Sequence, residues 1–275
     1  MTISAPRFHP APFARLGRSS RILAIVRREF LHRANWGTLL GVMLTFTAVV
    51  LTIVFDAEFG SLGSTLTPAT FETPFESPIW PFLILIVATA AGSGAIAEDV
   101  GNRSITLYLS RPIRRLDYLA AKTCACGSWI VLAAVGPGVA GITIVAALGL
   151  APASVSLPAL GDFIATGVLA AVFFTGLALA ISSLTNRSLY AGVGIFGLVL
   201  SLYIGVAVVA GITGNINVQY ANPVTDILTV GRSLFGVSGG PGPNPAGSAA
   251  ILGGSGVGLT ILAYWRLARI EVVSE

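Results

Sequence analysis

The chain is 275 residues long, 54% hydrophobic and only 10% charged, with a mean hydropathy of +0.84. A soluble domain is about 25% charged, so this chain lacks the polar groups to coat a water-facing surface and reads as an integral membrane protein. The net charge of +4 is carried in blocks beside apolar runs, which fits anionic lipid and loop orientation rather than nucleic acid.

In chain order, residues 1–13 carry three prolines and no periodicity, and read as a loose tail. The first long apolar run begins only at Trp36, too late for a secretory signal. Between Ala14 and Asn35 a helix is expected, with Ile22, Ile25, Val26 and Phe30 on one face and six arginines interleaved. A basic amphipathic helix before a span lies in the headgroup plane with its arginines reaching lipid phosphates; a solvated helix is the alternative. Residues 1–35 are thus a tail and interfacial helix.

Six runs long enough to cross a bilayer follow: Trp36–Phe55, Ile79–Ala97, Thr123–Leu150, Phe163–Leu184, Leu189–Gly211 and Ser248–Tyr264. Gly136-Pro137-Gly138 in the third predicts a kink, and residues 151–162 read as a short turn. Cys124 and Cys126 are too few for a disulfide framework or a zinc site, and read as two small buried thiols. Gly197, Ser201 and Gly205 in the fifth run, and Gly254 and Gly258 in the sixth, are helix-packing faces, within the chain or between copies. In the segment 212–247, Asn222-Pro223 with Asp226 marks a helix start; a short external helix and a Gly/Pro loop are expected there.

The fold class is therefore all-α, six transmembrane helices (36–264) behind an N-terminal interfacial amphipathic helix, with a tail at 265–275. Six spans put both ends on one side. With that side cytoplasmic, fifteen of the sixteen basic residues fall inside and only Arg232 lies outside. A multi-pass protein of the cell membrane with both termini cytoplasmic is expected.

Several functions fall away. Asn244-Pro245-Ala246 resembles a water-channel box, but the other candidate, Asn222-Pro223-Val224, lies in the same external segment, so no two half-helices can meet from opposite sides. Gly253-Gly254-Ser255-Gly256 matches a serine-nucleophile pattern, yet the only histidines, His9 and His32, precede the first span and no base is available. No acid or base stands in the middle of an apolar run, which argues against proton-coupled transport. No GxxxxGK[ST] loop is present, so the chain does not hydrolyse ATP and is not read as an enzyme.

The long polar interruption is residues 98–122. Glu98 and Asp99 come where the second span ends, and acids there oppose the helix dipole. They either open the next helix or pair with Arg103, Arg111, Arg114 or Arg115. The run Glu98, Ser104-Ile105-Thr106-Leu107, Leu109-Ser110-Arg111-Pro112-Ile113-Arg114-Arg115, Tyr118 and Lys122 resembles the signature of ATP-binding-cassette exporter permeases of the second (ABC-2) type, with Ser104 where that family usually has Gly. The layout of interfacial helix, six spans and external helical segment is similar too.

The resemblance implies the membrane half of an exporter, working with a second permease copy and cytoplasmic ATP-binding-cassette ATPase subunits. ATP and Mg would sit on those partners and no cofactor on this chain. It further implies that residues 102–110 form a coupling helix against the ATPase. Glu98, Asp99, Arg103, Thr106, Arg111, Pro112, Arg114, Arg115 and Lys122 would supply that interface. The competing reading is a membrane scaffold whose basic loop recruits a cytoplasmic partner.

Overall fold

The structure, a computed structural model, describes residues 18–60, 66–102, 114–237 and 243–269. Its described elements are helices α1 (Arg18–His32), α2 (Trp36–Gly60), α3 (Ile79–Gly92), α4 (Ala97–Gly101), α5 (Arg115–Ala147), α6 (Ala153–Leu184), α7 (Ser188–Thr213), α8 (Pro223–Leu234) and α9 (Pro245–Ala268), with short 3-10 turns before α3 and α8. Among the described residues, six stretches are long and apolar enough to cross a membrane: α2, α3 continued through α4, α5, α6, α7 and α9. The protein is an all-α integral membrane protein.

The apolar middles of the spans fall as expected, as do the starts at Trp36 and Ile79 and the end at Leu184, but other ends do not. The third helix begins at Arg115 instead of Thr123, and its first turn carries Asp117 at the favourable dipole end. The fourth begins at Ala153, so residues expected as a turn up to Asp162 are mostly helix, with Pro158 inside it. At 33 and 32 residues, both helices run to roughly 50 Å at 1.5 Å per residue, well beyond a hydrocarbon core of about 30 Å. Their polar ends therefore extend past the apolar layer. The second span breaks: α3 stops at Gly92 and α4 restarts at Ala97, which puts Glu98 and Asp99 in a first turn.

Packing between spans rests on small residues, because lipid removes the hydrophobic drive that water supplies. Helices α6 and α9 touch at Gly176 and Gly256: a Cβ at Gly176 would stand 2.1 Å from the Gly256 carbonyl oxygen. The α5 helix is continuous through Gly136-Pro137-Gly138. There the glycines seat rings, since a Cβ at 136 would strike Phe46 of α2 and one at 138 Phe163 of α6. By contrast, a Cβ at Gly197, Gly205, Gly254 or Gly258 meets nothing within 4 Å, and Ser201 is exposed. Those stripes do not pack spans within the chain. Cys126 is buried as expected, while Cys124 is exposed on the bundle's outer side.

Residues 216–221 form a 3-10 turn, after which Asn222 caps α8 by accepting from the Val224 and Thr225 N–H groups. This helix is no free surface element. Val224, Ile227 and Val230 are buried against α9, α6 and α7. At the same end, Phe75, Trp80, Phe163 and Phe235 join four segments in a ring cluster with centroids 4.9–5.4 Å apart.

Candidate functional site: a buried charged junction

At the opposite end of the bundle, α1 folds back on the start of α5. Positions 22, 25, 26, 29, 30 and 33 share one face of α1 by the 3.6-residue repeat. Glu29 and Arg33 on that face are buried, while Leu23, Arg27, Arg28 and Leu31 are exposed. Phe30 stacks on Trp129 of α5 at 4.6 Å and 7°, and the Trp129 indole N–H donates to the Phe30 carbonyl at 3.1 Å.

Lys122 lies two turns into α5 with a side chain only 3% exposed. Its Nζ stands 2.8 Å from Glu29 Oε2 and 2.7 Å from Asp99 Oδ2. The Glu29 contact is close but poorly aligned as a hydrogen bond, so it acts chiefly as an ion pair. The Tyr118 hydroxyl donates to the same Asp99 oxygen at 2.6 Å. A buried ammonium costs several kcal/mol of desolvation unless paired, and here two carboxylates from two other helices pair it.

Arg33 makes the second link. Its guanidinium donates to the Gly94 carbonyl at 2.7 Å and lies 3.5 Å from Glu98 Oε2 and 3.8 Å from Glu29 Oε2. Gly94 leaves room for this approach, because a Cβ there would crowd the ends of the Glu98 and Arg33 side chains. His32 approaches Glu98 to 3.7 Å at the exposed rim. The break before α4 is held by Ser182 of α6, whose hydroxyl accepts from the Ile96 and Ala97 N–H groups and donates to the Ser93 carbonyl.

Of the residues expected at a coupling interface, the junction gathers Glu98, Asp99 and Lys122. Arg114 is exposed at the N-cap of α5, and the Arg115 guanidinium donates to the Ala268 carbonyl at the end of α9. Arg103, Thr106, Arg111 and Pro112 lie outside the described residues. The partners described for Glu98 and Asp99 include His32, Arg33, Tyr118 and Lys122, from before and after residues 103–113.

Sequence reasoning missed Glu29, Arg33, Tyr118 as a donor, and Ser182. One signal was available: Glu29 is the only acid among the first fifty-five residues, and Arg33 follows it by one helical turn. The described charges of this arrangement pair with one another. What it does is tie α1, α4 and α5 into one block through charges that are costly to separate, with α6 joined through the Ser182 hydroxyl.

A sequence model of the family described as "ABC-2 family transporter protein" matches residues 23–272, from within α1 to past α9. The chain is also 28% identical over 165 residues to a Pseudomonas aeruginosa protein named "Probable ABC transporter permease protein NosY". That similarity takes in 59% of this chain and 59% of the relative's own length.

Proposed function

The chain belongs to the ABC-2 transporter family, and from that premise we propose that it is the membrane-spanning permease subunit of an ATP-driven exporter. The ATPase is a separate cytoplasmic chain of the ATP-binding-cassette type, which carries the ATP and Mg. The relative named as an ABC transporter permease supports the subunit type.

The observation that carries the coupling role is Lys122 bridging Glu29 and Asp99. Residues 98–122 begin and end at the charged junction, so a push on the segment between them reaches three helices at once. Through Asp99 and Lys122 it moves α5. Through Glu98 and Arg33 it moves α1, and through Ser182 it moves α6. Ion pairs and hydrogen bonds in a low-dielectric setting are stiff enough to transmit such a displacement. Arg114, exposed at the start of α5, is placed to meet the ATPase; Arg115 holds the end of α9.

The charge distribution supports a junction facing the cytoplasm. Arg27, Arg28, Arg33, Arg114, Arg115, Lys122, Arg187, Arg266 and Arg269 flank that end, and among the described residues only Arg232 stands at the other. The exposed Leu23 and Leu31 beside Arg27 and Arg28 suit α1 to the membrane surface and its lipid headgroups. The open stripes at Gly197, Ser201 and Gly205, and at Gly254 and Gly258, leave close-approach faces for a second permease copy.

Two measurements test this. Purification in mild detergent should recover a cassette ATPase with the chain, and recovery of some other partner alone would favour the scaffold reading. In the recovered complex, Arg114→Glu should lower the permease-dependent ATPase rate without reducing membrane insertion.

A further inference from the structure

The two Asn-Pro pairs lie at the far end of the molecule from the junction, and the function above leaves them unused. Asn222 and Asn244 cap α8 and α9 with their side-chain oxygens, and Pro223 and Pro245 open the two helices. Counted from each cap, the fourth helical residue is Asp226 in one helix and Ser248 in the other. These two residues meet: the Ser248 hydroxyl donates to Asp226 Oδ1 at 2.6 Å, and both side chains are fully buried. The two helix starts are also joined at their rim, where the Asn244 N–H donates to the Tyr220 hydroxyl at 2.9 Å.

The Asp226 carboxyl is under-supplied. Its other oxygen is buried with no hydrogen-bond partner. The ionisable groups on the elements packed against α8 are Asp162 of α6, Tyr190 and Tyr203 of α7, Tyr220 of the 216–221 turn, and Glu72 and Glu76 flanking the 3-10 turn at 73–75, with Tyr190 in the first turn of α7. The α3 helix brings none, and those of α9, Tyr264 and Arg266, lie at its opposite end. The one cation of α8, Arg232, acts on Glu72. What acts on Asp226 is burial, opposed only by the Ser248 hydrogen bond.

We propose that Asp226 is a proton-operated clasp between α8 and α9. With the carboxyl protonated, its carbonyl oxygen keeps the Ser248 bond and the two first turns stay docked. When the proton leaves to solvent, a buried carboxylate with one hydrogen bond and no cation remains, and water must reach it by parting the helices. The clasp responds to pH on the side of the membrane away from the charged junction.

Burial pushes the Asp226 carboxyl up to about 7 from the ordinary 3.8, which sets the direction and range. Below the ordinary value, docked and open states are both protonated and pH has no effect. Between the two values the docked state holds a proton that the open state releases, so docking weakens about tenfold per pH unit. Above about 7 the loss levels off, at roughly a thousandfold in all.

Hydrogen exchange of the whole chain in lipid nanodiscs between pH 5 and 9, corrected for the intrinsic pH dependence of exchange, tests the clasp. Protection of residues 223–234 should fall roughly a hundredfold from pH 5 to 7 and then flatten, while the middle of α5 stays constant. Asp226→Asn should keep α8 protected throughout. Ser248→Ala removes the bond that favours the ionised form, so its midpoint should move to higher pH; this decides the matter if the Asn variant does not insert. Flat protection in the wild-type chain, a pH response that survives Asp226→Asn, or an unmoved midpoint in Ser248→Ala would overturn the proposal.

Discussion

Asp99, half-buried, and Asp226, fully buried, are carboxylates at opposite ends of one helical bundle, and their surroundings differ in one decisive respect. Asp99 has the Lys122 ammonium at 2.7 Å and the Tyr118 hydroxyl at 2.6 Å. Asp226 has a single serine hydroxyl and an empty-handed second oxygen. Desolvation penalises both. Where a cation answers it, the carboxylate becomes part of a strut; where none does, the group can hold or lose a proton in the neutral range. The same side chain thus supports stiffness at one end and a titratable contact at the other.

The contrast breaks most sharply at Lys122. Lys122→Met removes the cation from Glu29 and Asp99 together, and uncompensated buried charge costs about 3–5 kcal/mol. The thermal midpoint of the purified chain in detergent should fall markedly, with α1 becoming accessible to protease. The opposite sign is expected at the other end. Asp226→Asn abolishes the need to keep a proton on a buried acid, so it should raise the midpoint. The gain is absent near pH 4, grows as pH rises towards about 7 and is constant above. Heating both proteins across that range reads it directly.

Smaller effects separate charge from packing. Ser182→Ala strands the Ile96 and Ala97 N–H groups beside the strut, and should cost about 1–3 kcal/mol by the same thermal assay. Gly176→Ala drives a methyl into the Gly256 backbone in the uncharged middle of the bundle, and overpacking there should cost roughly 1–3 kcal/mol without any pH dependence. Gly254→Ala, two residues from Gly256, meets open space and should leave monomer stability within about 0.5 kcal/mol. A fall in the size of the assembled particle on size-exclusion chromatography would then mark its face as an interface between copies.

These differences also explain what could be read in advance. The middles of all six spans were legible because some twenty apolar residues admit few alternatives to a membrane helix. Several of their ends were not, above all those of α5 and the start of α6. Arg115 to Lys122 looked like loop because charge was taken as a boundary, yet a helix that satisfies its own backbone continues through polar residues. Residues 151–162 read as a turn, but Pro152 caps α6 and Pro158 sits within its opening turns. The Asn222 cap was legible from its local spacing alone. Glu98, Asp99 and Lys122 stood out within one stretch, whereas Glu29 answers Lys122 from a distant helix, a pairing that leaves no local pattern. Likewise Asp226 and Ser248 carry no mark of their meeting, because only the tertiary fold aligns the two helix starts.

The coupling role of the junction is tested most directly by the ATPase rate of the reconstituted permease–ATPase complex, compared between Lys122→Met and Lys122→Arg. Only protein that remains folded and bound to its ATPase is assayed. Lys122→Arg keeps a cation between Glu29 and Asp99 and should retain most of the permease-dependent rate, while Lys122→Met should reduce the complex to the rate of the ATPase alone. A folded, ATPase-bound Lys122→Met complex running at the wild-type rate would contradict the assignment of this junction as the transmission point.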